Sequence, residues 1–491
     1  MNHPVVSQNG RDWARVTVLS LCAGVGLIAP LSGYPITLSA GALILLAYTL
    51  FAVMSLREPL IFVVVFLLVL EVLPPFYFSQ TGERPIYLSI FLLPIAFAIV
   101  LLRFPDIRFS WDPIAIGLAL FLGGTVLSIP FAFWLSGSAS AMEGLWRWVL
   151  VSQAALTYYL IRGCARPERS GSELRVFQML LIGAVVSAAY GIIDFVWPIP
   201  VAHVPAAQYI WLENTVLRRA QGVFYESSNF ANFCGFFLIT ASTAFLARAE
   251  RYVGVSRTVL VFFISVLGLA VLVAFSRSTW ASLVAALLAS MVVTRLVKVR
   301  RGLAVAAALA LPLILLWASS TELWNYFLTA RVGRLINIFS DPNVATSGRY
   351  DTWIRVLSIM REHPHYLIFG IGYKTLPVTR LFHGEIITDN GYLSLLLETG
   401  VAGLGGFILF SQSILKTFLR LARAGTGAQS FWAAVLFSIW CGELVQLLAA
   451  DAYTYWRNII IVTALMALAL NMSQRPEYAD STTAPSARVE A

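Results

Sequence analysis

"VLVAFSRSTWASLVAALLAS", residues 271–290, is almost all hydrocarbon, yet Arg277 stands near its middle. A continuous membrane-spanning helix takes about 20 apolar residues, so the length alone fits one span. An unpaired guanidinium at the centre of that span would cost about 3 kcal/mol on insertion scales. The alternative is two spans meeting in a very short turn at Arg277, which puts the arginine at a membrane face. The rest of the chain has to supply its negative partner.

Composition settles the class. Of 491 residues, 59% are hydrophobic and only 12% charged, with a mean hydropathy of +0.78. No soluble domain of this length hides so much apolar surface, so the chain reads as an all-α integral membrane protein. The net charge of +9 would point to nucleic acid in a soluble protein. Here it reflects basic loops on the cytoplasmic face, and no nucleic-acid partner is expected. Cys22, Cys164, Cys234 and Cys441 are scattered without a CxxC pair, so neither a disulfide framework nor a metal site is predicted. Arg11 and Arg15 precede a first apolar run near 16–32, but no small-residue cleavage site follows, so that run reads as a first span.

Spanning-length apolar runs near 16–32, 37–55, 59–77, 87–102, 113–135, 145–161, 176–197, 222–247, 258–275, 278–294, 303–319, 390–413, 430–449 and 456–471 predict about fourteen transmembrane helices. Residues 1–319 hold eleven, 320–389 form one large connection, 390–471 hold the last three, and 472–491 are a polar, disordered tail. With the N-terminus in the cytoplasm, the alternate loops "SLREP", "RFPDIRFSWD", "RGCARPERSGSELR", "ARAERYVGVSR", "RLVKVRRG" and "KTFLRLARAG" also lie there. Together with the termini they carry 21 of the 34 basic residues, as the positive-inside rule requires. The 320–389 loop then falls outside, in the periplasm. It is partly helical: Trp353, Val356, Leu357 and Met360 share one helical face, as do Leu328, Val332, Leu335, Ile336 and Phe339.

The basic residues left outside are arginines with one exception, Lys374; they include Arg218, Arg219, Arg277, Arg349 and Arg457. A planar fork of donors suits bidentate phosphate binding better than a lysine's point charge. A substrate with a polyprenyl-pyrophosphate carrier would therefore be the partner Arg277 needs. Arg84 and Arg147 read instead as side chains reaching lipid headgroups.

Three motifs carry a resemblance. "RAQGVFYESSNFANF" (219–233), "SRSTW" (276–280) and "GRYDTW…HPHYLIFGIGY…TDNGYLSLLLETGVAGL" (348–404) resemble, in order, spacing and sidedness, segments of the O-antigen ligase and polymerase superfamily. The likeness covers about residues 215–410. It implies a glycosyltransferase of the bacterial inner membrane, working on its periplasmic face without metal or other cofactor. The implied donor is an undecaprenyl-pyrophosphate-linked glycan, and the acceptor is lipid A-core for a ligase or another lipid-linked repeat for a polymerase. It also implies that Arg219, Arg277 and Arg349 hold the pyrophosphate. Where ligases carry His before the loop's final Asn, this chain has Asp389, which leans the reading toward an exopolysaccharide or O-antigen polymerase.

Glycosyl transfer needs cations for the leaving group and a base for the acceptor hydroxyl. Asp389 is the first candidate base, although "TDNG" before an apolar run is also good capping sequence. His383, six residues earlier, is the alternative. His363 and His365 flank Pro364 and read as turn residues. Glu226, Asn229 and Asn390 are expected to contact substrate, with pairing to Arg219 as the other reading for Glu226 and Asn229. A lipid-linked oligosaccharide flippase is the rival class. It predicts repeats and mid-membrane charges, and neither is visible here. A scaffold without chemistry would leave the outer arginines an accident.

Overall fold

Residues 59–72, 111–163, 172–197, 208–213, 216–294, 321–333, 340–346, 348–382 and 388–473 are described by the computed structural model, with positions 76–77, 85–86, 93–94 and 97 between them. The helices that matter here are α1 (Pro59–Val72), α2 (Pro113–Val126), α3 (Ile129–Ser136), α4 (Ser138–Gly163), α5 (Ser172–Val196), α6 (Ser227–Ala247), α7 (Arg257–Val273), α8 (Arg277–Thr294), α9 (Arg349–Glu362), α10 (Gly391–Ala424), α11 (Gly427–Gln446) and α12 (Trp456–Ser473). Two short antiparallel pairs accompany them, Phe76–Tyr77 with Pro85–Ile86 and β1 (Tyr209–Trp211) with β2 (Val216–Arg218). Among the described residues, 7 helical stretches are long and apolar enough to cross a membrane. The expected spans near 16–32, 37–55 and 303–319, the tail beyond 473 and His383 lie outside the described residues.

The bundle is organised around α6 and α12, each buried over nearly its whole length. By contrast α8 exposes Val284, Leu288 and Val292, at 60%, 58% and 73%. These recur every fourth residue, an apolar stripe suited to a lipid environment. Glycines let α2 and α10 touch backbone to backbone: a Cβ on Gly117 would sit 2.7 Å from the Phe410 Cα, and one on Gly406 2.8 Å from the Phe121 Cα. Small residues are how helices approach closely where no hydrophobic effect drives them together. Polar contacts add to this at the centre. Asn458 of α12 donates to the Asn229 carbonyl (3.0 Å) and to Asn232 Oδ1 (2.6 Å), while Asn232 donates to Glu443 of α11. In hydrocarbon such groups need partners, and here they bind three helices together.

One break positions the site. At Gly400 α10 kinks, with φ 64°. Ile371 N donates to the Leu397 carbonyl (3.1 Å) and Gly372 N to the Glu398 carbonyl (2.9 Å), so the "GIGY" loop at 370–373 docks on the kink. A Cβ at Gly370 (φ 73°) would overlap the Glu398 carbonyl, and one at Gly400 the Ile368 carbonyl. The Gly-x-Gly spacing thus serves close backbone approach.

Several expected boundaries are corrected. The run expected at 222–247 becomes helical only at Ser227, because 221–226 is a turn. The run expected at 390–413 continues to Ala424, so most of "KTFLRLARAG" is helix rather than loop. On α9 the buried residues are Val356 and Met360, while Leu357 lies on the flank, 48% exposed. Phe327–Gly333 is a π-helical turn. Within it Phe327 is buried and Leu328 exposed, while Leu335, Ile336 and Phe339 of the expected face lie outside the described residues.

Candidate functional site

A polar cavity of about 160 Å³ opens where six segments of the chain meet: Gln208, 219–228, 275–278, Arg349, Asp389 and 449–455. Arg219, Arg277 and Arg349 all line it, with Glu226 and Asp389. Each arrives by a different local device.

Strand alternation separates the arginine pair after β1. Arg218 turns into the bundle and pairs with Asp194 of α5, both nearly fully buried. Arg219 turns the other way. Its Nε donates to the Ala274 carbonyl (2.8 Å) and its Nη1 to Gln208 Oε1. This ties Arg219 to the turn joining α7 to α8. Phe275 makes that turn possible with φ 52°, a left-handed conformation uncommon for an aromatic residue. Arg277 is then the first residue of α8, beside Ser276 and Ser278. The partial positive charge of the helix start adds to the guanidinium's own. Two apolar helices do meet at a short turn at Arg277, as the sequence predicts.

Arg349 and Trp353 lie one turn apart on α9 and engage neighbouring residues. Arg349 Nε pairs with Asp389 Oδ2 at 2.9 Å, and Trp353 Nε1 donates to the Thr388 carbonyl at 2.7 Å. The "GRYDTW" spacing therefore docks α9 on the entrance to α10. Asp389 itself has φ 43°, a conformation aspartate tolerates. Its Oδ1 has no hydrogen-bond partner among the described residues. The N-cap of α10 is Asn390, whose Oδ1 accepts from Tyr392 N and Leu393 N at 3.2 Å each. The capping role weighed for Asp389 thus belongs to its neighbour, and the Asn390 amide oxygen is committed to the helix.

Glu226 sits at the start of α6, partly buried, with hydrogen bonds to the Tyr455 and Ser228 hydroxyls. Burial lifts its pKa above the usual carboxylate value; the two hydroxyls and Arg219 oppose that rise, and Asp389 adds to it. The Tyr455 hydroxyl is pushed well above its ordinary value by burial and by Glu226, so it stays protonated and can donate. Asn229 does not line the cavity: its main-chain carbonyl accepts from Asn458 of α12, and its Oδ1 is buried without a partner among the described residues.

Other cations named from sequence stand apart from this cavity. Arg457 is buried, donates to the Val223 carbonyl (2.8 Å) and lies 5.4 Å over the Phe224 ring. Lys374 pairs with Asp451 at 2.6 Å. Arg355, Arg361 and Arg380 are exposed, as are His363 and His365, whose rings pack on Tyr366. Among the described residues no three His, Cys, Asp or Glu side chains gather as a metal site. Sequence reasoning missed Gln208, Ser228 and Tyr455. Ser228 was inside a quoted motif, whereas Gln208 and Tyr455 carry no local signal because only the fold brings them in.

Three guanidinium groups, a helix start and two carboxylates can hold a polyanion and accept a proton beside it. No curated protein matches the chain. Residues 259–408, which include Arg277, Arg349 and Asp389, match the family model described as O-antigen ligase (Wzy_C). This match over part of the chain supports the likeness to the O-antigen ligase and polymerase superfamily that the sequence motifs carry.

Proposed function

We propose that the protein transfers glycan from an undecaprenyl-pyrophosphate-linked donor on the periplasmic face of the inner membrane, and that it acts as a polymerase of lipid-linked repeats. The observation that carries this reading is the convergence of Arg219, Arg277 and Arg349 with Glu226 and Asp389 on one polar cavity. The loop-charge count supports a periplasmic position for it, since it puts 320–389 and the α7–α8 turn outside.

In this mechanism the arginines bind the pyrophosphate and neutralise the charge that builds on it as the glycosidic C–O bond breaks. Such preorganised donors are worth about 3 kcal/mol of barrier each in comparable systems. The acceptor hydroxyl attacks the sugar C1, and its proton passes to a carboxylate. Asp389 is the proposed base, with Oδ2 held by Arg349 and Oδ1 left to accept the proton. His383, outside the described residues, is the alternative. Glu226 with Tyr455 orients hydroxyl groups at the cavity wall. The arginines provide the charge that a metal would otherwise supply.

One observation favours a second reading: the matched model is described as an O-antigen ligase, for which the acceptor would be lipid A-core. Deleting the gene separates the readings. Single lipid-linked repeats accumulating on the periplasmic side identify a polymerase. Lipid A-core left without its glycan identifies a ligase. Retention of repeats on the cytoplasmic side would refute both and indicate a flippase.

A further inference from the structure

A second, smaller cavity, of about 50 Å³, is lined in part by sequence neighbours of residues that line the first. Tyr455 lines the larger cavity, and its neighbours Thr454 and Trp456 line the smaller.

Each cation of the smaller cavity's lining is paired on its outer side with a carboxylate, Arg147 with Glu143 and Lys374 with Asp451. The lining itself contains no carboxylate. Arg147 uses Nε on Glu143, one turn back on α4, at 2.8 Å. Its two terminal nitrogens have no partner among the described residues. Lys374 stays charged: burial works against its ammonium, and Asp451 and Glu398 outweigh that, so its pKa is raised. Between them is Tyr373, fully buried, whose hydroxyl has no hydrogen-bond partner among the described residues. Burial and the nearby carboxylates raise its pKa, so it remains a donor. A buried hydroxyl left unsatisfied costs free energy that a bound acceptor would recover. The remaining wall includes the apolar Leu150 and Val151. The space is too small for a whole sugar ring and suits one substituent of it.

From the terminal nitrogens of Arg147 and the buried Tyr373 hydroxyl we infer that the smaller cavity receives an anionic substituent, a carboxylate or a phosphate, carried by a sugar of the glycan substrate, and so selects charged repeat units. The inference rests on the proposed reading of the larger cavity as the pyrophosphate site. Arg147, which from sequence reads as a headgroup contact, becomes a specificity residue. The fork of Arg147 supplies paired donors to the anion, Tyr373 a third, and Lys374 the second charge.

The test is binding to the full chain in lipid nanodiscs, followed by saturation-transfer NMR with glucuronate, glucose 6-phosphate and glucose as probes. Inorganic pyrophosphate is titrated separately. At least one anionic sugar is expected to bind tenfold or more tightly than glucose, as charge-assisted hydrogen bonds imply. Whether glucuronate or glucose 6-phosphate wins tells carboxylate from phosphate. Arg147→Gln should abolish the preference and leave pyrophosphate binding unchanged. Tyr373→Phe, which keeps the ring in place, should weaken it several-fold. Equal or undetectable binding of all three sugars to the parent protein overturns the inference, as does a preference that survives Arg147→Gln. Loss of pyrophosphate binding alone, with the sugar preference intact, would overturn the reading of the larger cavity and leave this subsite standing.

Discussion

Asp389→Asn separates chemistry from structure because the fold gives Asp389 little structural work. Its ion pair with Arg349 spans 2.9 Å, but the two side chains are 40% and 33% exposed. After discounting for solvent screening, such a pair contributes about 0.5 kcal/mol. The backbone at φ 43° is one asparagine adopts as readily as aspartate. The cap of α10 is supplied by Asn390 and is untouched. The substitution should therefore change stability by less than about 1 kcal/mol. Its effect on turnover should be far larger, since an amide takes no proton. A positioned general base contributes about 10²–10⁴ in rate, or about 3–5 kcal/mol of barrier. The assay is transfer from a defined lipid-linked donor by purified protein in nanodiscs, with thermal unfolding and donor binding measured in parallel. Turnover lost by about 10² or more, with unfolding and binding unchanged, is the expected result. Full turnover would refute Asp389 as the base and move the search to His383 and Glu226.

Arg277→Lys keeps the charge but loses the fork, so donor turnover should fall about tenfold or more with insertion and folding intact; unchanged turnover would demote Arg277 to a headgroup contact. Burial raises the pKa of Glu226. Its folded-state preference for the proton is fully present below the ordinary carboxylate pKa, near about 4.3, and is lost as pH rises through the raised value. Glu226→Gln should therefore gain thermal stability relative to the parent as pH rises over that window; a pH-independent difference would contradict the shift. Gly400→Ala puts a Cβ against the Ile368 carbonyl at a backbone φ of 64°. It should destabilise the protein by more than about 1 kcal/mol and speed proteolysis in the 363–382 loop, whereas Gly405→Ala, with open space around it, should be neutral. For sidedness, cysteines at the exposed positions Ser340 and Thr258 should be labelled only from outside and only from inside, respectively; the reverse pattern would invert the bundle. Thr379 is no substitute for Ser340, because it is buried against Ser136.

What the sequence made legible follows from what repeats locally. Apolar runs of spanning length located α5, α7, α8, α11 and α12 to within a few residues, because hydropathy is a property of neighbours in the chain. The short turn at Arg277 and the helix at 349–362 were readable for the same reason. Long-range pairing was not. Nothing local distinguishes Arg218, bound to Asp194, from Arg219, held beside Ala274; strand alternation decides it, and β2 is only three residues long. Asp389 and Asn390 look equally fit to cap, and the left-handed backbone at 389 settles which one does. Tyr455 and Gln208 reach the cavity from distant segments without any motif to mark them. Asn229, polar within an apolar run, contributes its main-chain carbonyl to the contact with Asn458, a role its side chain does not reveal.

The central claim is that one cavity holds the donor's pyrophosphate between three arginines. An experimental structure of the protein in nanodiscs with bound undecaprenyl pyrophosphate tests it most directly. The account predicts phosphate density in the cavity bounded by Arg219, Arg277 and Arg349. At least two of the guanidinium groups should lie within about 3 Å of phosphate oxygens, with the polyprenyl tail leaving toward the lipid. Pyrophosphate bound away from all three arginines would contradict it.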